Sequence, residues 1–242
     1  MNFVTIQNSM RWFFLLHALA GAIALVVFLI PLLSKKGSRL HVQMGWIYTY
    51  AMIFVGLSAF VITPWRAFID ETRTTESISF AAFLFFISAF TLSALWNGLI
   101  VLKLKNRKSP SHAALHIGPP MILLVLGIAT QILGFFLNDV LLMTFPFLSH
   151  VTAINQLRYW LKETNGKMHW WYFHMNGMFT ACIATVTAFL VTALPRVWPG
   201  PISQSPILWI APGLILGTIL NRWTASYELK FGDKIKKEDK VN

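Results

Sequence analysis

Charge is scarce in this chain of 242 residues. Asp, Glu, Lys and Arg together make up 12% of it, about half the share of a typical soluble domain. Only nine residues are carboxylates, and they fall in the stretches between apolar runs or near the C-terminus. No Lys or Arg sits in the middle of an apolar run either. A carboxylate proton relay or a voltage sensor needs charge inside the membrane, so both are disfavoured from the start. A single cysteine, Cys182, rules out an intramolecular disulfide and a cysteine metal cluster. Residues 2–10 hold no basic residue, and the cluster Lys35, Lys36, Arg39 follows the first apolar run. A cleavable signal peptide has the opposite order, so that run reads as a retained helix.

What remains is apolar bulk. Hydrophobic residues make up 56% of the chain, Phe occurs 20 times and Trp 10 times, and mean hydropathy is +0.60. A membrane-spanning helix needs about 20 mostly apolar residues. Seven stretches qualify: 12–33, 42–63, 78–102, 112–136, 140–158, 170–194 and 205–222. The expected fold is an all-α membrane protein, a bundle of seven transmembrane helices forming one domain over 1–225, with a charged cytoplasmic tail at 226–242. Gly118-Pro119-Pro120 should kink the fourth helix and free nearby carbonyls. Asn138-Asp139 leaves so short a connection that helices four and five should be antiparallel neighbours.

The basic residues set an orientation. Segments 34–41, 103–111 and 158–168 and the tail from Arg222 hold 3, 4, 3 and 6 Lys/Arg, which is 16 of the 20. Arg11, Arg66, Arg73 and Arg196 fall on the other side. This split predicts the N-terminus outside and the C-terminus in the cytoplasm. The net charge of +11 is then explained by topology and by anionic lipid headgroups at the cytoplasmic face, not by nucleic acid. Trp12, Trp65, Trp160, Trp170, Trp171, Trp198 and Trp223 lie near run ends, where an interfacial belt belongs.

Histidine is the polar residue left inside the runs. His116 lies eight residues beyond Lys108, His150 eight before Arg158 and His174 seven beyond Lys167. At about 1.5 Å per residue, these three reach a common depth of about 10–12 Å on the cytoplasmic side. His112 precedes His116 by one helical turn and is expected on the same face. His41 and His169 lie near the surface, and His17 stands alone in the outer half. A buried imidazole is costly unless it is neutral and hydrogen-bonded or bound to something, and it is a good ligand for zinc, copper and haem iron. The candidate cofactor-binding residues are therefore His17, His41, His112, His116, His150 and His174, with His116, His150 and His174 as the metal set. The competing reading gives each ring its own interhelical hydrogen bond. Asn97, Gln131, Asn155, Gln156 and Asn176 are expected to join helices or to orient imidazoles.

Two stretches carry a resemblance. One combines HALAG from His17 with HVQMGWIY from His41, and the other is HMNGMFTACIATVTAFLV from His174. Together they resemble a family of bacterial predicted membrane proteins known as a domain of unknown function. The match covers helices one, two and six. It implies the bacterial inner membrane and no particular activity, and it draws attention to His17, His41 and His174. Similarity to cytochrome b561-like bundles is loose and lies only in paired histidines on several helices.

Three functions stay open. Two histidines at one level could clamp haem b for electron transfer, with Gly177, Ala181 and Ala184 leaving room for the porphyrin. Three imidazoles and a water could hold zinc in an intramembrane hydrolase, although no intramembrane carboxylate offers a general base. A transporter or structural membrane protein without metal is the third. Whether the chain is an enzyme is left open.

Overall fold

The computed structural model describes residues 3–164, 166–202, 205 and 207–232, with side chains from residue 10 onward. Every regular element among them is helical. We number seven helical segments. α1 is Phe3–Val27, continued by Leu29–Leu33; α2 is Arg39–Pro64, running on as a π-helical turn Trp65–Ile69. α3 is Thr75–Ile100, closing in a 3-10 turn Val101–Lys103, and α4 is Ala114–Leu137. α5 is Val140–Thr144 and Pro146–Leu161, interrupted at Phe145. α6 is His169–Ala188, extended by a π-helical turn Phe189–Ala193 and by Leu194–Val197; α7 is Ile207–Phe231.

Segments α1 to α6 are long and apolar enough to cross a membrane. The chain is thus a multi-pass helical membrane protein, with six such helices among the described residues. The expected seventh run does form a helix, α7, but it is not one of the six. Its apolar stretch gives way at Asn221 and Arg222, while the helix itself continues to Phe231. Residues 226–231 are therefore helix and not loose tail, and 233–242 lie outside the described residues.

The chain forms two compact units, Met1–Leu92 with Ile122–Val151, and Ser93–Met121 with Thr152–Asn242. In the first, α1 and α2 are antiparallel. Phe14 meets the edge of Trp65 at 6.1 Å, and His17 bonds Ser58. Near the other end of the pair the Pro31 carbonyl accepts from the His41 Nδ1–H at 2.9 Å and from Lys36 at 2.8 Å. Those donors fill carbonyls that a helix C-terminus leaves without partners. The remainder of this unit shows the expected tight turn. Asn138 takes a positive φ of 52°, a conformation that Asn tolerates better than most residues. Asp139 then caps the start of α5, accepting from the amides of Leu141 and Leu142. Gln131 donates to the Met143 carbonyl at 3.1 Å, fastening α4 to α5 across the turn.

In the second unit, α6 approaches α3 almost backbone to backbone. A Cβ added at Gly177 would lie 2.7 Å from the Ala94 carbonyl oxygen and 2.9 Å from the Cα of Gly98. Small residues permit this approach, as they do where membrane helices meet. Sequence reasoning reserved Gly177 as porphyrin space; the α3 backbone fills it instead. α7 runs antiparallel beside α6. Phe179 meets Trp223 at 5.4 Å, and Trp171 meets Tyr227 at 5.2 Å and Phe231 at 5.8 Å.

Between α2 and α3, Asp70 is buried although it carries a charge. It accepts from the Thr72 amide at 3.0 Å, from the Thr72 hydroxyl at 2.8 Å and from Arg66 at 2.8 Å. The two Thr72 bonds, aided by the Arg66 charge, hold its carboxyl below the ordinary carboxylate range against the opposing effect of burial. A depressed folded value stabilises the turn above the unfolded pKa, and that contribution is lost as pH falls through the folded value.

Two outcomes follow. Gly177→Val should destabilise the protein by about 1–3 kcal/mol through overpacking; an unchanged midpoint of thermal unfolding in detergent would contradict the α3–α6 contact. Exchange protection of the Thr72 amide should hold steady from neutral pH into the mildly acidic range and fall below about pH 4. Asp70→Asn should flatten that dependence.

Candidate functional site

The polar interior of the second unit is built around Asn97, Gln156 and Trp160. Asn97 on α3 donates through Nδ2 to the Ser93 carbonyl at 2.9 Å and to Gln156 Oε1 on α5 at 3.1 Å. Ser93 donates to the same Gln156 oxygen at 3.1 Å. The indole N–H of Trp160 donates to Asn97 Oδ1 at 2.6 Å. Trp160 is wholly buried. It does not belong to an interfacial belt, as its place near the end of a run had suggested. The polar tip that suits Trp to an interface here finds its acceptor inside the protein. Of the other expected interhelical residues, Asn155 and Asn176 are exposed.

His116 lies flat against Trp160, with ring centroids 4.3 Å apart and planes 11° from parallel. Its Nδ1 makes a 2.6 Å hydrogen bond with Ser111 Oγ. α4 begins at Ala114, so His112 lies in the preceding loop, exposed. The one-turn relation that was to place His112 and His116 on one helical face does not apply. The helix runs on unbroken through Pro119 and Pro120. Proline at 119 removes the amide that would bond the Leu115 carbonyl, and that carbonyl instead accepts from Trp96 Nε1 at 2.7 Å.

His174 donates from Nδ1 to the Gly98 carbonyl at 2.7 Å. Gly98 is among the last four residues of the α-helical part of α3, whose carbonyls lack helical partners. A carbonyl only accepts, so this contact fixes the proton on Nδ1 and the lone pair on Nε2. His41 has the same tautomer through Pro31. In the His17–Ser58 pair, the Ser58 hydroxyl donates to the Val55 carbonyl at 3.0 Å, so the 2.8 Å contact is His17 Nδ1–H donating to Ser58 Oγ. The three histidines of the stretches that carry the resemblance thus share one Nδ1–H donor pattern.

In His169 both nitrogens are taken. Nε2–H donates to the Lys105 carbonyl at 3.0 Å, and Nδ1 accepts from the Tyr159 hydroxyl at 2.6 Å. His150, in the first unit, has its Nε2 buried with no partner among the described residues. The ring occupies a slot that Gly127 provides on α4: a Cβ there would come within 2.7 Å of Nε2 and 2.8 Å of Ser149 Oγ.

Arg107 closes the loop end of the second unit. It donates to the carbonyls of Ser109 at 2.8 Å, Lys162 at 3.0 Å and Tyr159 at 2.7 Å. Its guanidinium lies 4.7 Å from the Tyr159 ring centroid and 5.3 Å from that of Trp160, within cation–π range. Nothing in the sequence pattern marked Arg107 out among its basic neighbours. Its role depends on carbonyls more than 50 residues away.

Among the described residues, no three His, Cys, Asp or Glu side chains are gathered so as to hold a metal ion. His116 and His174 lie in the second unit and His150 in the first.

Asn97→Leu should cost about 1–3 kcal/mol, because it leaves the Trp160 N–H buried without an acceptor. The double variant Asn97→Leu, Trp160→Phe should cost less than the sum of the singles in an unfolding cycle; strict additivity would separate the two residues. No family model matches the chain, and neither a curated protein nor a solved structure does.

Proposed function

We propose that this chain is a seven-span protein of the bacterial inner membrane that binds haem b, or a metal ion, through imidazole and passes electrons. The observation that supports this reading is the shared tautomer of His17, His41 and His174. Each anchors Nδ1–H on a fixed oxygen, the arrangement that orients a metal-ligating imidazole and raises its basicity. Within the second unit, His174 and His116 are the pair such a group would take. Haem iron would supply one-electron chemistry when bound; the protein contributes neutral nitrogen ligands in an apolar setting.

The topology is part of the proposal. The antiparallel packing of α7 on α6 supports α7 as a seventh span, since its apolar first half then lies alongside the outer half of α6. Seven spans place the termini on opposite sides. The basic loops put the N-terminus outside and the C-terminus in the cytoplasm.

A second reading is a metal-free structural or transport protein whose histidines serve as interhelical donors. The Gly177 contact favours it, because α3 and α6 meet there with no space between them.

An absorption spectrum and metal analysis of the detergent-purified protein decide between the two. Haem-supplemented expression should give a Soret band that His174→Ala abolishes and His112→Ala, in the exposed loop, leaves intact. A colourless wild-type protein without stoichiometric metal would leave only the second reading.

A further inference from the structure

We infer that the loop joining α3 to α4 is a binding site for the phosphodiester headgroup of an anionic lipid. The inference rests on the proposed topology for its placement in the cytoplasmic leaflet, and on the structure for its shape. Residues Leu102, Lys103, Leu104, Lys105, Asn106 and Arg107 line an open concavity of about 570 Å³. Lys103 and Lys105 on its wall, and Lys108 beyond it, are exposed. One carboxylate, Glu163, lies in the facing loop.

The loop is held in shape from beneath. Arg107 directs its two terminal nitrogens to the carbonyls of Ser109, Lys162 and Tyr159. Thr164 donates through its amide to the Lys108 carbonyl at 3.0 Å and through its hydroxyl to the Arg107 carbonyl. His169 holds the Lys105 carbonyl. Arg107 therefore acts as a positioning residue, and the lysine ammoniums are left to meet an anion.

Two further features match a lipid. α3 ends at Lys103, on the wall of the concavity, so the concavity opens where an apolar helix meets the headgroup layer. Lys105 Nζ sits 4.5 Å over the ring of Trp170 at the start of α6. Tryptophan and lysine side by side are the usual pairing at that depth. Juxtamembrane lysines attract anionic lipid by an additive electrostatic effect. A preformed concavity converts that diffuse attraction into a place where one headgroup is retained.

The test uses the full chain in detergent, equilibrated with equal amounts of phosphatidylglycerol and phosphatidylcholine, with retained lipid counted by native mass spectrometry. Wild type should retain phosphatidylglycerol in preference. Lys103→Gln, Lys105→Gln, Lys108→Gln combined should reduce that preference by about tenfold, and the three Lys→Arg changes should preserve it. A control variant, Lys35→Gln, Lys36→Gln, Arg39→Gln, removes equal charge from another basic loop and should retain the preference. Equal losses in the two Gln variants would overturn the inference in favour of general charge. Displacement of the lipid by millimolar inorganic phosphate would also overturn it, by assigning the site to a free anion. Circular dichroism and a monodisperse gel-filtration profile establish that each variant is folded. Orientation is read separately: Asn106→Cys, labelled with an impermeant maleimide, should react from the cytoplasmic side. Labelling from outside would defeat the topology and leave the headgroup preference standing.

Discussion

Carbonyl oxygens that the helices leave unpaired decide where several of this chain's imidazole, indole and guanidinium groups go. Where water is scarce, an unsatisfied backbone acceptor costs several kcal/mol, so each must find a donor. Pro119 strands the Leu115 carbonyl, and Trp96 takes it. The end of α1 leaves Pro31, and His41 and Lys36 take it. The end of α3 leaves Gly98, and His174 takes it. Arg107 serves three at once. The chain has few charges to spend, so neutral rings do most of this work.

That logic also bears on function. An imidazole donating from Nδ1 to a carbonyl is helical glue and, by the same bond, a ligand with its lone pair aimed. The two roles share one geometry, and what separates them is the space on the far side of the ring. His169, with both nitrogens committed, belongs wholly to the first role; His17, His41 and His174 share the Nδ1 anchor.

Much of the fold was legible in the sequence. Run lengths gave the six apolar helices, Asn138-Asp139 gave the α4–α5 turn, and Asn97 with Gln156 gave an interhelical bond. The proline pair gave freed carbonyls, although the donor that reached one of them, Trp96, carried no mark. What was not legible shares a cause. The position of a residue along a helix can be read from its distance to a charge, but its rotation about the axis cannot. Trp160 sits near a run end as a belt residue would, yet it faces inward to Asn97. His112 depended on a helix start that lies two residues later. Gly177 looked like open space because nothing in one sequence says what a small residue faces. Of the candidate site, the sequence named the histidines, while their partners depended on contacts from other helices.

The two-residue connection between α4 and α5 has a bearing on how the chain enters its membrane. A turn of that length offers no tether for one helix to cross while the other waits. The unit that such a turn makes is a helical hairpin, folded back on itself. The Gln131 bond to the Met143 carbonyl and the Asp139 cap are local enough to form within that hairpin before any later helix has been synthesised. Biogenesis of this stretch thus has a two-helix step built into it, and the helices that follow are added to a pair that is already fastened.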